Sequence, residues 1–167
     1  MSIINSIFKM NKVKYFGGVF YLNINKTYDM TIKDNIFFNN YAGVAGGVAF
    51  FEHINKNAEN IIFLHQSNNN KNNTLLNNTA ISHGSIFATH PSQIIKSNTE
   101  LEKLDINSGG SIVFTISLID TLGNNISDEE RYYSNIGIDA KLYDESYNEV
   151  HNYYIPEINN IFFNGKI

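Results

Sequence analysis

The side chains able to do chemistry are few and scattered. Asp29, Asp34, Glu52, His53 and His65 fall in the first half of the chain. His83, His90, Asp120, an acidic run over 128–130, and Asp139, Asp144 and Glu145 fall in the second. Two carboxylates at a suitable separation would hydrolyse a glycosidic bond. A basic group beside an acidic, metal-holding cluster would serve a polysaccharide lyase. Glu52 and His53 are neighbours, and on an extended chain neighbours point to opposite faces. Asp29 and Asp34 fall in turns. The odd spacing of His83 and His90 puts them on different faces, and neither a cysteine nor a carboxylate joins them as a third zinc ligand. The acidic groups near 128–130 and 139–145 lack an Asp-x-Asp-x-Asp-Gly loop and read as solvated acids rather than as a calcium site. Asp120, three residues before Gly123, reads as a turn residue that bonds backbone. Gly43, Gly46 and Gly47 suggest a phosphate cradle, but no Lys-Ser/Thr pair and no helix follow. The expectation is therefore no catalytic residue, no metal and no cofactor.

Bulk composition narrows the choice further. The chain has 167 residues, 43% of them hydrophobic, with 12 Phe and 10 Tyr, enough to bury a core. The charged fraction is 17%, below the usual value of about 25%. A net charge of -4 and a single arginine, Arg131, leave no basic footprint for nucleic acid. The absence of cysteine excludes disulfides and thiolate metal sites, and is compatible with either redox compartment. No charged leader with an apolar run opens the chain, so no signal peptide is read here. No apolar run approaches the roughly 18 residues of a membrane span.

The elements that must position these groups show themselves as a repeat. In residues 37–51, Phe37 is followed by Asn40, then by Gly46 and Gly47, then by the apolar run 48–51. Phe8, Asn11, Gly17, Gly18 and the run 19–22 repeat that spacing at an offset of 29 residues, from Phe8 to Phe37. Leu75, Asn78, Gly84, Ile86 and Phe87 form a weaker third copy. Short β-branched or aromatic segments at 6–8, 19–22, 30–32, 36–38, 48–51, 61–64, 75–76 and 85–88 lie between Gly, Asn, Asp and Lys, the mark of strands. Little helix is expected. About three strands per repeat fit one turn of a parallel β-helix, in which each turn buries its apolar face only by stacking on the next. Phe8, Phe37 and Leu75 are expected to point inward and stack. Asn11, Asn40 and Asn78 are expected at a corner, where asparagine tolerates the left-handed conformation and bonds nearby backbone. The glycine pairs are expected to supply a positive φ or a tight bend. Ala42 and Ala80, two residues beyond the asparagines, suit a crowded corner. The polar run 66–73 reads as a loop inserted into the third turn.

The repeat stops near Thr89-His90-Pro91. Ile112, Phe114, Ile116 and Leu118 then alternate, as do Ile136, Ile138, Ala140 and Leu142, and 149–155 is a further strand candidate. Two-residue periodicity broken by turns such as 122–125 predicts antiparallel sheet in a small sandwich.

Phe-x-x-Asn followed by Gly-Gly-Val resembles the repeat of the polymorphic membrane protein family. It is also similar to the β-helix regions of large surface proteins, which belong with the pectin-lyase-like right-handed parallel β-helices. In those proteins the last turn ends as Gly84-Ser-Ile-Phe-Ala-Thr-His-Pro91 does here. A module bearing Ser-Gly and Asp-x-x-Gly-Asn follows, as Ser108-Gly109 and Asp120 to Asn124 do. The chain departs from the pattern at Val19 and Val48, where alanine is usual, at Leu75 in place of Phe, and at Ser85 in place of the second glycine. The resemblance implies a surface-exposed adhesive or structural ectodomain and brings no catalytic residues.

The reading is all-β: a short right-handed parallel β-helix of about three coils over 1–90, then a small antiparallel β-sandwich-like, Ig-like module over 91–167. The function expected is that of a non-catalytic part of an extracellular, cell-surface protein, in adhesion, recognition or structural display. Its partners would be glycans or other surface proteins. The alternative is a carbohydrate-active enzyme or carbohydrate-binding module on the same fold, for which Phe37, Phe38, Phe50 and Phe51 are platform candidates. A coil needs a neighbour or a cap at each end, so the chain is expected to be part of a longer polypeptide. Asn25, Asn72, Asn77 and Asn125 begin N-glycosylation sequons.

Overall fold

The computed structural model describes residues 2–23, 31–54, 73–96, 116–133 and 146–149. Every regular element among them is a β-strand. The strand candidates at 61–64 and 136–142, nearly all of that at 149–155, and Ile112 and Phe114 lie outside the described residues. So do Asn25, Asp29, His65, Asn72, most of the 66–73 loop, Ser108, Gly109, Asp139, Asp144 and Glu145.

The first repeat carries β1 (Ser2–Ile4), β2 (Ile7–Lys9), β3 (Lys12–Val13) and β4 (Phe20–Asn23). The second carries β5 (Thr31–Lys33), β6 (Ile36–Phe38), β7 (Tyr41–Ala42) and β8 (Ala49–His53). The third carries β9 (Thr74–Leu76), β10 (Thr79–Ala80) and β11 (Phe87–Thr89). Equivalent strands pair side by side and parallel: β1 with β5, β2 with β6 and β9, β3 with β7 and β10, and β4 with β8 and β11, the middle repeat lying between the other two. Parallel bridges join Phe16, Ala45 and His83 in the same way. The repeat begins earlier than its sequence signature, because Ser2–Ile4 already pairs with the second repeat. Two-residue strands such as β3 and β7 are too short to register as periodicity.

The register matches the sequence offsets. Phe8 pairs with Phe37 and Phe37 with Leu75. The rings of Phe8 and Phe37 stack at 5.2 Å and 6°. They join Ile32 and Val48 in a core flanked by Ile3, Val19, Phe20, Leu75, Ile86 and Phe87. Phe37 and Val48 are wholly buried, and losing a ring of that kind costs about 3–5 kcal/mol.

The corners correct one expectation. The left-handed residue is the one before each asparagine: Met10, Asn39 and Asn77, at φ 55°, 54° and 52°. The asparagine bonds the neighbouring repeat instead. Asn40 Nδ2 donates to Phe8 O at 3.0 Å and to Asn78 Oδ1 at 2.9 Å. Its Oδ1 accepts Asn11 N and Asn11 Nδ2, at 3.1 and 2.8 Å. Both donors and both acceptor sites of this amide are thereby used. Each such bond contributes about 1 kcal/mol. Asn78 continues the series by donating to Phe37 O at 3.0 Å.

A second ladder has no clean signature in the sequence. Asn35, wholly buried, donates to Ile3 O and Asn73 Oδ1 and accepts Ser6 N, while Asn73 donates to Ile32 O. Because Ser6 holds the ladder position in the first repeat, the residue types do not match. Asn5 and Asp34, at φ 52° and 56°, bend the chain before it.

The two glycines of a pair do different work. Gly46 has φ +73°, which a side chain resists. Gly47 is needed for space, since a Cβ there would lie 2.1 Å from Ser85 O in the next repeat.

Beyond the third repeat, β12 (Pro91–Lys96) and β13 (Ile116–Asp120) pair antiparallel. The expected antiparallel element is therefore present in this pair. Pro91, read from sequence as a boundary, is the first residue of a strand, where its missing N–H costs no ladder bond.

Candidate functional site

Of the reactive side chains of the first half, Glu52 and His53 lie at the end of β8, in the β4–β8–β11 sheet. Pairing runs in step from Phe20–Ala49–Phe87 through Leu22–Phe51–Thr89. It then slips, so that Asn23 pairs with His53 and Glu52 is the extra residue. A bulge of this kind re-aims side chains. Strict alternation, on which the expectation for Glu52 and His53 rests, is interrupted at this slip.

Tyr21 lies on β4, the edge strand of this sheet, and is half exposed. Its ring stacks on Phe50 at 5.7 Å and 20°. Phe50 is wholly buried, with Phe16 at 4.5 Å and His90 edge-on at 4.9 Å. Glu52 accepts Asn23 Nδ2 at 2.7 Å. Partial desolvation raises the Tyr21 pKa, and Glu52 raises it further. Burial against the aromatic rings lowers that of His90. The Glu52 charge opposes this and the His53 charge adds to it. Tyr15 and Tyr132 extend the aromatic surface, edge to face at 6.3 Å, with Lys14 5.1 Å above the Tyr15 ring.

Of the platform candidates Phe37, Phe38, Phe50 and Phe51, only Phe38 keeps partial exposure. Phe37, Phe50 and Phe51 are wholly buried, and the exposed rings are tyrosines. Tyrosine spaced irregularly between Gly and Lys gives no periodic signal, so Tyr15 and Tyr21 do not stand out in the sequence.

A second polar cluster closes the third repeat. Asp120 Oδ2 accepts Thr89 N and Asn124 Nδ2, at 3.0 and 2.9 Å, and its Oδ1 accepts Leu122 N and Asn124 N, at 2.9 and 2.8 Å. With Gly123 at φ +83°, it builds the turn that sequence assigns to it. Asn124 Nδ2 also donates to Phe87 O at 3.0 Å. His83 is buried beside them, its Nε2 at 2.9 Å from Thr89 O and its Nδ1 at 3.1 Å from Ser82 Oγ. Burial lowers the His83 pKa, against the pull of the Thr89 carbonyl and Asp120. Tyr133, packed 6.0 Å from the His83 ring, has its pKa raised by burial and then by Asp128 and Asp120.

His83 is thus a packed residue of the third repeat, while His90 is exposed. Asp34 sits at a corner, 3.6 Å from Lys33. Among the described residues, no group of three or more His, Cys, Asp and Glu is arranged to hold a metal ion. Among them too, no helix is long and apolar enough to cross a membrane. Of the sequon asparagines, Asn77 and Asn125 are exposed. Set against protein-family models, curated proteins and solved structures, the chain matches none.

Proposed function

We propose that residues 1–90 form a short right-handed parallel β-helix of about three coils, that 91–167 form a small antiparallel sandwich-like module, and that the whole is a non-catalytic recognition or display segment of an extracellular surface protein. The observation that carries this reading is the asparagine ladder through Asn11, Asn40 and Asn78. It links three repeats in one register, across offsets of 29 and 38 residues. A ladder of bonded amides running from repeat to repeat suits a stiff, rod-like scaffold. Such a scaffold suits presentation to glycans or other surface proteins. The exposure of Asn77 and Asn125 suits attachment of glycans at those positions.

An antibody raised against the purified chain tests the location. It is expected to label intact source cells without permeabilisation. Labelling that appears only after permeabilisation overturns the extracellular reading.

A further inference from the structure

We infer that residues 127–133 are a strap that crosses all three repeats and opens on its own while the repeats stay folded. Its contacts run from one repeat to the next. Ser127 N donates to Ser82 O of the third repeat at 3.3 Å. The Tyr133 ring lies 6.0 Å from that of His83. It packs against a buried cluster made by Val44, Ala45 and Phe50 of the second repeat and Ala88 of the third. The Tyr132 ring meets that of Tyr15, in the first repeat, edge to face at 6.3 Å and 85°. The register puts these groups in line, because Phe16, Ala45 and His83 are bridged side by side and Phe50 pairs with Ala88. Ile32, Phe37 and Val48 form a separate cluster, so the repeats keep a core of their own when the strap lifts.

The strap is bonded to itself more than to what it covers. Asp128 Oδ2 accepts Tyr133 N, and Asp128 O accepts Arg131 N, both at 2.9 Å. Among the described residues, Ser127 N to Ser82 O is the single backbone bond from 127–133 to the repeats. Between the repeats such bonds are dense: Gly46, Gly47, Val48 and Ala49 all donate to the third.

Three features of the strap favour its release. Asp128 keeps 2% exposure, yet its Oδ1 has no hydrogen-bond partner among the described residues. The buried Tyr133 hydroxyl has none either. A buried polar atom without a partner bears its full desolvation cost, and opening returns both atoms to water. Arg131, at φ 58°, holds a left-handed conformation that a side chain resists. Against these stand the packing of Tyr133 and the bond of Ser127. A segment with few bonds to the body and such costs opens ahead of the whole. A plain buttress would instead open only when the repeats unfold.

Native-state hydrogen exchange of the full chain, followed by NMR at several urea concentrations, separates the two. The amides of Ser127, Arg131 and Tyr133 are expected to exchange about 100-fold faster than those of Gly47 and Val48, with little dependence on urea. Tyr133→Phe deletes an unbonded oxygen and keeps the ring, and is expected to slow the strap amides about tenfold. The chain has no cysteine, so an introduced thiol reports the uncovering directly. Val44→Cys, in the cluster that Tyr133 packs against, is expected to react with a thiol reagent without denaturant, and Val48→Cys only under unfolding conditions. The inference is overturned if the strap amides share the urea dependence of Gly47 and Val48, if Tyr133→Phe leaves their exchange unchanged or hastens it, or if Val44→Cys is as shielded as Val48→Cys. Exchange in the unaltered chain decides the matter should a variant fail to fold. None of these results bears on the cell-surface location, which the antibody decides separately.

Discussion

The first repeat and the third flank the second among the described residues, and their outer sides differ. In the first, Asn11 is exposed and the Phe8 ring is half buried, although each is bonded or stacked to the second repeat. In the third, Asn78 keeps 7% exposure and Ala88 none. The turn from Asp120 to Asn124 lies against β11, bonding Phe87 O and both the N–H and the hydroxyl of Thr89. Ser127 N reaches Ser82 O at 3.3 Å on the same side. The difference teaches that burial within a repeat is set by its neighbours rather than by its own residues. The same asparagine is wholly buried at position 40 and exposed at position 11.

The sharpest way to break this contrast is at the closed end. Asp120→Ala would leave Thr89 N, Leu122 N and Asn124 N without their acceptor in a buried setting. A loss of about 4–5 kcal/mol in urea unfolding is expected, since hydrogen bonds to a charged acceptor contribute about 1.5 kcal/mol or more each. A loss under about 1 kcal/mol would mean that the turn does not close the third repeat. Next in size, Asn40→Ala is expected to cost about 3 kcal/mol and Asn11→Ala about 1, because Asn40 makes four ladder bonds inside the protein and Asn11 makes its bonds at an exposed end. Equal losses would erase the distinction between inner and outer repeats.

The smallest effect is a pH dependence. Burial holds the His83 pKa below its ordinary 6.5. Just below that pH the unfolded chain binds the proton more readily than the folded protein does. The contribution of His83 is therefore complete above about pH 6.5 and is lost progressively as the pH falls through and below it. His90, also lowered, acts in the same direction. His83→Gln is expected to flatten part of the acid-side decline in the urea midpoint while leaving the part due to His90. An unchanged slope would show that His83 does not report on the closed end.

Much of this contrast is legible in residue types alone. Phe8, Phe37 and Leu75 announce the stacked positions because an inward apolar site recurs at every turn. Asn11, Asn40 and Asn78 announce the ladder because few other side chains supply two donors and two acceptors on one planar group. Three things are hidden. The left-handed conformation falls on Met10, Asn39 and Asn77, whose types differ, so identity carries no signal there. Asn35 and Asn73 are concealed by Ser6, which fills the ladder position through its backbone N–H alone. The register slips at Glu52, and strict alternation along a strand cannot foresee such a bulge. The setting of Tyr21 is hidden for a further reason. Tyr21 owes its orientation to Phe50, a contact between repeats.

The paired glycines carry a consequence for how such a chain can grow. The second glycine answers to the repeat that follows: Gly18 gives way to Gly47 O and Gly47 to Ser85 O, while Ser85 keeps an exposed side chain. A duplicated copy of the first or second repeat could be spliced in ahead of the third with its fit preserved. One added after the third would meet the Ser85 side chain where its own carbonyl must lie. Lengthening by gene duplication is therefore permitted inside the series and blocked at its closed end until Ser85 itself mutates to glycine.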